Sequence, residues 1–528
     1  MIRRFLLTAA LASTAGCSLA PKYVRPELPV PPSWPVGDAY LVRSEAALPS
    51  VTYRDIFRDP RLQRVIDQAL ANNRDLRVSV ANIAAARAQY RIQRAELFPT
   101  LGLSAAYNYS GGGGGSTTVI PSTDTGTGTD TGTDTGTGTG TDTGTDTGTG
   151  TGTGTGTSVT TTSSSGSSFS LQAGVTDFEI DLFGRVRSLT GAALNRYFEQ
   201  EAAARATRLT LVGDVAGAWL TYASDKSLLA IAEDTRKSAE QSVRLTDQRL
   251  KGGIAPRTDL RQAQQVLETA NADLAALRTS LAQDINALQL LVGAPVDPAL
   301  LPASIEEAGG TIAELPAGLD SRVLLRRPDV VQAEYELRAT NGEIGAARAA
   351  LFPRISLTAL AGFASTALSS LFTGGAFTYS VAPNASYSIF QAGAARANVR
   401  YTQAQRDAAL ATYERAIQTA FQEVSDALAR RGTITDQLAA NRRFTDAALD
   451  TYRLAEARYR GGIDTFLASL DAQRQLYSAR QTLVQTELVR ATNLVTLYRT
   501  LGGDAALSVP ATGQSPAPAE PSALPPQQ

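Results

Sequence analysis

Residues 377–389 read FTYSVAPNASYSI, and every second position from Phe377 to Ile389 carries an apolar residue or proline. The positions between them carry only Thr, Ser, Ala or Asn. A period of two places the apolar side chains on one face of a β-strand. A length of about ten residues with tyrosines near the ends is typical of a strand that crosses a membrane. A half-buried strand of a soluble sheet matches the pattern locally just as well.

Three more stretches alternate in the same way, at residues 101–109, 169–176 and 355–363. We therefore predict four strands arranged as two β-hairpins. The first hairpin is interrupted by a low-complexity segment rich in Thr, Gly and Asp, for which we predict a loop at residues 111–168. This segment has no apolar periodicity and cannot bury a core, so disorder is expected. The irregular spacing of its aspartates disfavours calcium binding.

Two long proline-free stretches follow the hairpins, at residues 185–251 and 394–460. Each can form one helix of 67 residues, roughly 100 Å long at 1.5 Å per residue. Rods of this length do not fit a globular domain. The pairs Gly252-Gly253 and Gly461-Gly462 are predicted to end the helices and reverse the chain.

The first returning stretch has leucine every seven residues, which is typical of a coiled-coil seam. Its positions are Leu260, Leu267, Leu274, Leu281 and Leu288, followed three places on by Ala263, Ala270, Leu277 and Leu291. Asp284 occupies one of the offset positions. The strict spacing predicts that this helix supercoils against neighbours rather than forming an ordinary core helix.

The sequence contains two copies of one unit. An offset of 254 residues aligns LFP at 97–99 with LFP at 351–353, and an offset of 209 aligns GGI at 252–254 with GGI at 461–463. The offsets differ by 45 residues, the approximate length of the Thr/Gly/Asp tract at 111–157 inside the predicted loop. The predicted organisation is a signal peptide (1–17), an extended tether (18–58), repeats at 59–300 and 301–505, and a disordered Pro-rich tail (506–528).

The composition argues against catalysis and nucleic-acid binding. The 528-residue chain carries 49 basic and 50 acidic side chains, which gives no electrostatic reason to bind a polyanion. It has no histidine and one cysteine, so the residue sets of metal sites, catalytic triads and most acid–base sites are missing. We predict that the protein is not an enzyme and holds no cofactor or metal.

The N-terminus has the features of a secretory signal, with Arg3 and Arg4 before a short apolar run and small residues before Cys17. The cysteine stands where a bacterial lipobox places it, so we predict that Cys17 is acylated, for example with palmitate, and anchors a lipoprotein. An ordinary secreted chain with an incidental cysteine is the alternative. No later apolar run reaches about 18 residues, so membrane crossing would need strands.

Four strands cannot close a membrane barrel, because the smallest single-chain barrels use about eight. Open edges in lipid would leave backbone groups unpaired, at a cost of several kcal/mol each. Two copies of the chain would supply about eight strands and three about twelve, and only the larger number has room for a solute path. We therefore expect several copies to form one duct, with the helical part on the same axis.

Short motifs throughout the chain resemble those of the TolC/OprM outer-membrane efflux proteins, in particular the lipoprotein branch called NodT-type. They are NNRDL at 72–76, DLFGR at 181–185, RRPDV at 326–330, LFP at 351–353, RYRGGI at 458–463 and LDAQ at 470–473. The resemblance implies a homotrimer with a twelve-stranded β-barrel, four strands per chain, and a periplasmic α-helical barrel. The location would be the outer membrane of a Gram-negative bacterium, with the Thr/Gly/Asp loop outside the cell.

The resemblance also implies a function. The trimer would be a passive duct for small molecules in a tripartite, multidrug-type efflux system, joined to a periplasmic adaptor and an inner-membrane pump. Cargo and pump are not indicated. A trimeric coiled-coil surface adhesin is the alternative, although such proteins place one anchor at one end, whereas here strand pairs interrupt the helices twice.

Two groups of residues become site candidates through the resemblance. Leu467 and Asp471, four residues apart on one helix face, would form the periplasmic gate as an apolar ring and an acidic ring. A surface ion pair with Arg474 is the alternative for Asp471. The adaptor contacts would lie at the tips, at Arg249, Gly252, Gly253, Arg458, Gly461 and Gly462. A purely folding role for the glycines is the alternative.

Overall fold

The computed structural model describes residues 18–31, 33–35, 52–112, 164–313 and 321–503. Cys17, residues 113–163 and the tail beyond 503 lie outside these ranges, so acylation and a disordered loop stay predictions. The chain divides into two compact units. A strand unit takes Phe98–Ile180 and Arg354–Ser386, and a helical unit takes the rest.

The helices of the described ranges are α1 Tyr53–Ile56, α2 Pro60–Asn72, α3 Arg74–Ala95, α4 Arg185–Lys251, α5 Arg257–Val292, α6 Ile305–Gly310, α7 Pro328–Ala349, α8 Ala394–Arg460 and α9 Phe466–Thr500. The strands are β1 Leu101–Gly112, β2 Ser164–Glu179, β3 Arg354–Ser365 and β4 Phe377–Ser386.

The strand unit is one antiparallel sheet in the order β1-β2-β3-β4, which confirms the four predicted strands. Glu179 lies opposite Ser356, and Phe363 lies opposite Phe377. β1 and β4 are the edge strands, and within the described residues each pairs on one side only. The sheet therefore has two open edges.

The strands extend into both ends of the predicted loop at 111–168. Gly112 pairs with Ser164 and Gly111 pairs with Ser165, so these loop boundaries were wrong. The hydrogen bonds of a strand pair come from the backbone and need no apolar alternation. Glycine and serine can therefore continue a ladder after the sequence signal for it has ended.

The helical unit is organised around α4 and α8, each 67 residues long, with the bounds predicted from sequence. Both begin after a glycine with positive φ, Gly184 at 74° and Gly393 at 87°. α4 packs along α5 and α7, and α8 packs along α9. Among the helices that are described, none is long and apolar enough to cross a membrane.

The main apolar core lies where α1 and α2 pack against the long helices. Trp219 of α4 is fully buried, and its indole Nε1–H donates to the carbonyl oxygen of Leu300 at 3.0 Å. Phe57 packs edge-on against Tyr498 of α9, with ring centroids 5.5 Å apart. This core joins the two halves of the sequence.

Arg327, in the motif RRPDV, fastens three helices. Its guanidinium lies 2.7 Å from Asp329 at the start of α7 and 2.8 Å from Glu423 of α8. It also donates to the carbonyl oxygen of Thr500, at the end of α9, at 2.9 Å. The side chain is 9% exposed, so its charge depends on these partners.

The predicted seam on α5 is largely confirmed. Leu274, Leu281 and Leu288 are buried, as are the offset alanines Ala263 and Ala270. Leu260 and Leu267 are only half-buried.

Asp284 interrupts this seam with a carboxylate. Burial and the nearby Asp225 carboxylate raise the pKa of Asp284 to about 6. One of its oxygens, Oδ2, is buried without a hydrogen-bond partner among the described residues. The seam therefore contains one costly polar position.

The predicted tether at 18–58 is not free where the structure describes it. Residues 18–31 and 33–35, which we call the N-terminal strap, lie against α7 and α8. Glu334 of α7, whose side chain is 6% exposed, accepts from Arg25 at 2.8 Å and from the Tyr23 hydroxyl at 3.1 Å. Arg338 lies over the Tyr23 ring at 4.7 Å and donates to the same carboxylate.

The two ends of the strap are also held. Near its start, Arg348 donates to the carbonyl oxygen of Leu19 at 3.3 Å. Near its end, Trp34 stacks on Phe421 of α8, with ring centroids 4.9 Å apart. A proline-rich composition predicts an extended backbone but carries no information about such docking.

Loss of the contacts that hold the strap should make the strap easier to cleave with trypsin. Glu334→Ala should weaken strap docking by about 2 kcal/mol, because a buried carboxylate that receives charged hydrogen bonds is lost. Trypsin cleavage after Lys22, which precedes Tyr23, should then accelerate roughly 30-fold, because cleavage follows the population of the open form. Glu343→Ala is the matched control, since Glu343 lies on α7 but pairs with Arg196 of α4. Equal cleavage of both variants would contradict the docking.

Candidate functional site at the helix tips

Each long helix ends in the same type of turn. Tip 1 is the turn at 249–256 between α4 and α5, and tip 2 is the turn at 458–465 between α8 and α9. In tip 1 the Ile254 N–H donates to the Arg249 carbonyl at 2.9 Å, and in tip 2 Ile463 donates to Arg458 at 2.9 Å. Together with a left-handed glycine, these bonds form the Schellman motif that satisfies the last helical carbonyls.

Within each pair, only the second glycine is required by backbone conformation. Gly253 has φ 73° and Gly462 has φ 72°, which side chains with a Cβ rarely adopt. Gly252 and Gly461 have φ of −77° and −75°. A Cβ at Gly461 would meet its nearest atom at 3.5 Å, an ordinary contact. The folding alternative thus accounts for one glycine in each pair and leaves the other unexplained.

Arg249 connects the two tips. Its Nη2 donates to the carbonyl oxygens of Tyr459 and Arg460, at 3.2 Å each. Its guanidinium carbon lies 4.4 Å from the centre of the Tyr459 ring, a cation–π geometry. The side chain predicted for adaptor contact therefore also holds tip 2 in place.

Arg458, at the equivalent position in tip 2, has a different partner. Its guanidinium forms a two-point ion pair with Asp464 of the same turn, at 2.6 and 3.0 Å. The hydrogen bonds from Arg458 lower the pKa of Asp464. The residue that aligns with Asp464 in tip 1 is Ala255, so Arg249 has no carboxylate in its own turn.

A small apolar cluster lies behind the tips and joins α4, α5, α8 and α9. Its buried members are Ala239, Ala263, Val266, Tyr459, Phe466 and Leu470. By contrast, Ile254 is 76% exposed and Ile463 is 68% exposed. Each tip thus presents an isoleucine and a glycine to its surroundings.

The two gate candidates lie on the exposed side of α9. Leu467 is 50% exposed and the Asp471 side chain is 63% exposed, whereas Phe466 and Leu470 are buried on the other side. Asp471 lies 3.9 Å from Arg474, at the limit of an ion pair. A single chain therefore brings Leu467 and Asp471 onto one face and leaves both side chains accessible.

A cleft of about 80 Å³ lies next to these residues, between α4, α5 and α9. It is lined by Gln473, Arg474 and Tyr477, among others. The Tyr477 hydroxyl donates to Asp273 at 2.6 Å, and burial together with this bond raises the pKa of Tyr477. Binding pockets for drug-sized molecules have volumes of roughly 300–1,000 Å³, so this cleft does not hold such a cargo.

Tyr459 and Asp464 are tip residues that were not predicted from the sequence. An acidic residue six places after Arg458, across a Gly-Gly turn, was a usable signal for the pair with Asp464. The contact between Arg249 and Tyr459 joins residues 210 positions apart. No local pattern indicates such a contact.

Comparison with known proteins gives matches along nearly the whole chain. The family model described as outer membrane efflux protein matches residues 65–294 and 319–503. The chain is 43% identical to the toluene efflux pump outer membrane protein TtgC of Pseudomonas putida, over 94% of this chain and 95% of that protein. It is 38% identical to the outer membrane protein OprJ of Pseudomonas aeruginosa, over 93% and 94%.

The fold also matches solved structures. The open state of the outer membrane channel MtrE of Neisseria gonorrhoeae superposes with a TM-score of 0.76, at 32% identity, over 93% of this chain and 99% of that one. The channel protein CusC matches with a TM-score of 0.76 at 33% identity, over 92% and 100%. These matches agree with the resemblance that the motifs indicated.

The two glycines of tip 2 should respond differently to alanine. Gly462→Ala should destabilise the turn by about 1 kcal/mol, because it forces a Cβ into the left-handed region. Gly461→Ala should have little effect. Hydrogen exchange of residues 458–465, followed by mass spectrometry, should be roughly fivefold faster in Gly462→Ala only. Gly462→Asn should largely restore protection, since Asn tolerates this conformation. Equal exchange in both alanine variants would refute the assignment.

Proposed function

The chain belongs to the outer membrane efflux protein family, and from this membership we propose that three copies assemble into one continuous duct. The family assignment makes the protein an outer-membrane channel component of an efflux pump. The members of this family are transport channels. The comparisons give no support to an adhesin.

The open edges of the sheet are the main observation that supports the proposed trimer. Each of β1 and β4 has one side that no other described strand pairs with, and hydrocarbon offers no hydrogen-bond partner to their backbone groups. Pairing β4 of one copy with β1 of the next satisfies both edges and closes a ring of twelve strands, four from each copy.

Exposed apolar side chains on the helices support the same assembly. Val78 and Ile92 of α3 are 57% and 60% exposed, and Phe444 and Leu454 of α8 are 55% and 58% exposed. A monomer leaves these side chains in water, whereas neighbouring copies would cover them. The helices would then enclose the periplasmic part of the duct.

We place the adaptor contact at tips 1 and 2. Their exposed isoleucines and glycines offer apolar surface and close backbone approach to a helical partner. An inner-membrane pump would supply the energy through that adaptor, since nothing in the composition indicates a catalytic site of the chain's own. The names of relatives refer to toluene and antibiotics, so we propose small organic molecules as cargo.

We propose that Leu467 and Asp471 constrict the periplasmic end. Three leucines would form an apolar ring, and three aspartates would attract cations and repel anions at close range. The exposure of both side chains on one face of α9 supports this role. Acylated Cys17 would anchor the chain at the start of the strap.

The assembly is tested by its mass. Native mass spectrometry of detergent-solubilised wild type should give three copies, and boiling before gel electrophoresis should shift the band from trimer to monomer. Membrane barrels resist detergent until heated because their backbone hydrogen bonds are internal. A single-copy mass without prior heating would contradict the proposed duct.

The gate is tested by Asp471→Ala. The variant should conduct more in planar bilayers and lose cation selectivity, because a ring of like charges is removed. Arg474→Ala is the matched control: it disrupts the same 3.9 Å contact but keeps the carboxylates. If both variants behave alike, or if conductance is unchanged at several salt concentrations, Asp471 is a surface ion-pair residue and not a gate residue.

A further inference from the structure

Two phenylalanines form a stack where the chain leaves β2 and where it enters β3. The rings of Phe183 and Phe352 are 4.7 Å apart and nearly parallel, at 15°. Phe183 lies four residues after Glu179, the end of β2, and Phe352 lies four residues before Ser356. Glu179 and Ser356 are opposite each other in the sheet. The two stacked rings therefore occupy equivalent sequence positions, each four residues from one member of this strand pair.

The chain has a second set of residues with the same spacing but no stack. Phe390 lies four residues after Ser386, the end of β4, just as Phe183 follows β2. The offset of 254 aligns Phe98 with Phe352. Phe390 is 85% exposed and Phe98 is 61% exposed. These two rings flank the two edge strands, each of which pairs on one side only within the described part of the chain.

We infer that Phe390 of one copy stacks on Phe98 of the next copy, in the arrangement that Phe183 and Phe352 adopt within one chain. This inference rests on the proposed trimer and specifies its contact. Transferring the register of β2 and β3 to the new pair places Ser386 of one copy opposite Gly102 of the next.

The partner that contacts these exposed rings is a second copy of the chain, for two reasons. Each ring adjoins an edge strand that needs a partner strand, and the two edges are complementary in direction: β1 and β4 lie at opposite ends of an antiparallel sheet. The stack inside the chain also shows what a satisfied ring at this position contacts, namely the phenylalanine that precedes the neighbouring strand. Three inter-copy stacks would alternate with three intra-chain stacks around the ring.

Cysteine crosslinking tests this contact. Two differently tagged chains are co-expressed, one with Phe98→Cys and the other with Phe390→Cys, and membranes are treated with a short bifunctional methanethiosulfonate reagent. The expected product contains both tags at twice the chain mass. Each single variant expressed alone should give no such product. Wild type controls for Cys17, the only native cysteine.

A matched pair calibrates the reagent. Phe183→Cys with Phe352→Cys in one chain should crosslink within that chain, with no increase in mass on a denaturing gel. If this control pair crosslinks and the Phe98 and Phe390 pair yields no two-tag product, the inference is overturned.

Native mass spectrometry of the same samples separates the two hypotheses. Trimers without the two-tag crosslink overturn the stack and leave the proposed duct intact. Wild type that is not trimeric overturns both. Should loss of a ring prevent assembly, Gly102→Cys and Ser386→Cys on separate chains test the same register with both rings present. A crosslink at that pair supports the inference, and trimers without it overturn it.

Discussion

Two unpaired strand edges are the constraint on which the rest of this structure depends. Among the residues that the structure describes, N–H and C=O groups of β1 and β4 have no strand partner on one side, and a bilayer interior offers none. The long helices do not relieve this constraint, because their backbone groups are satisfied internally. Only another strand does, and we propose that a second copy of the chain supplies it. Membership of the efflux family and the open sheet both support this proposed assembly.

The helical unit is held together by side chains that connect distant parts of the chain. Arg327 fastens the start of α7 to α8 and to the end of α9, and Glu334 fastens the N-terminal strap. Both sites place a buried charge among opposite charges, an arrangement that favours one geometry over alternatives. These contacts fix how the helices meet, which apolar packing alone specifies less strictly.

Sequence periodicity predicted the regular elements well and their contacts poorly. The two 67-residue helices were placed at their observed bounds because proline, glycine and apolar spacing are local signals. The same applies to the alternating strands and to the heptad leucines of α5. The ends of β1 and β2 were missed, since glycine and serine pair through the backbone alone.

The candidate site was likewise predictable only in its local features. The Gly-Gly turns were predictable, but the docking of the strap, the reach of Arg249 to Tyr459 and the stack of Phe183 on Phe352 were not. Each joins residues far apart in sequence, and one sequence without an alignment holds no signal for such pairs. The alignment of the two repeats does give one kind of information about long-range contacts. A contact formed once inside the chain indicates which residues at the equivalent positions are expected to form the same contact.

The two tips are built alike but carry different chemistry, and this limits the symmetry of the assembly that we propose. Arg458 forms an ion pair with Asp464 in its own turn. Arg249 instead donates hydrogen bonds to backbone carbonyl oxygens of the other turn. A ring of three such chains would alternate two chemically distinct tips, so its rotational order would be three and not six. Any ring-shaped binding partner would therefore find three equivalent angular settings and not six, which fixes its orientation about the channel axis.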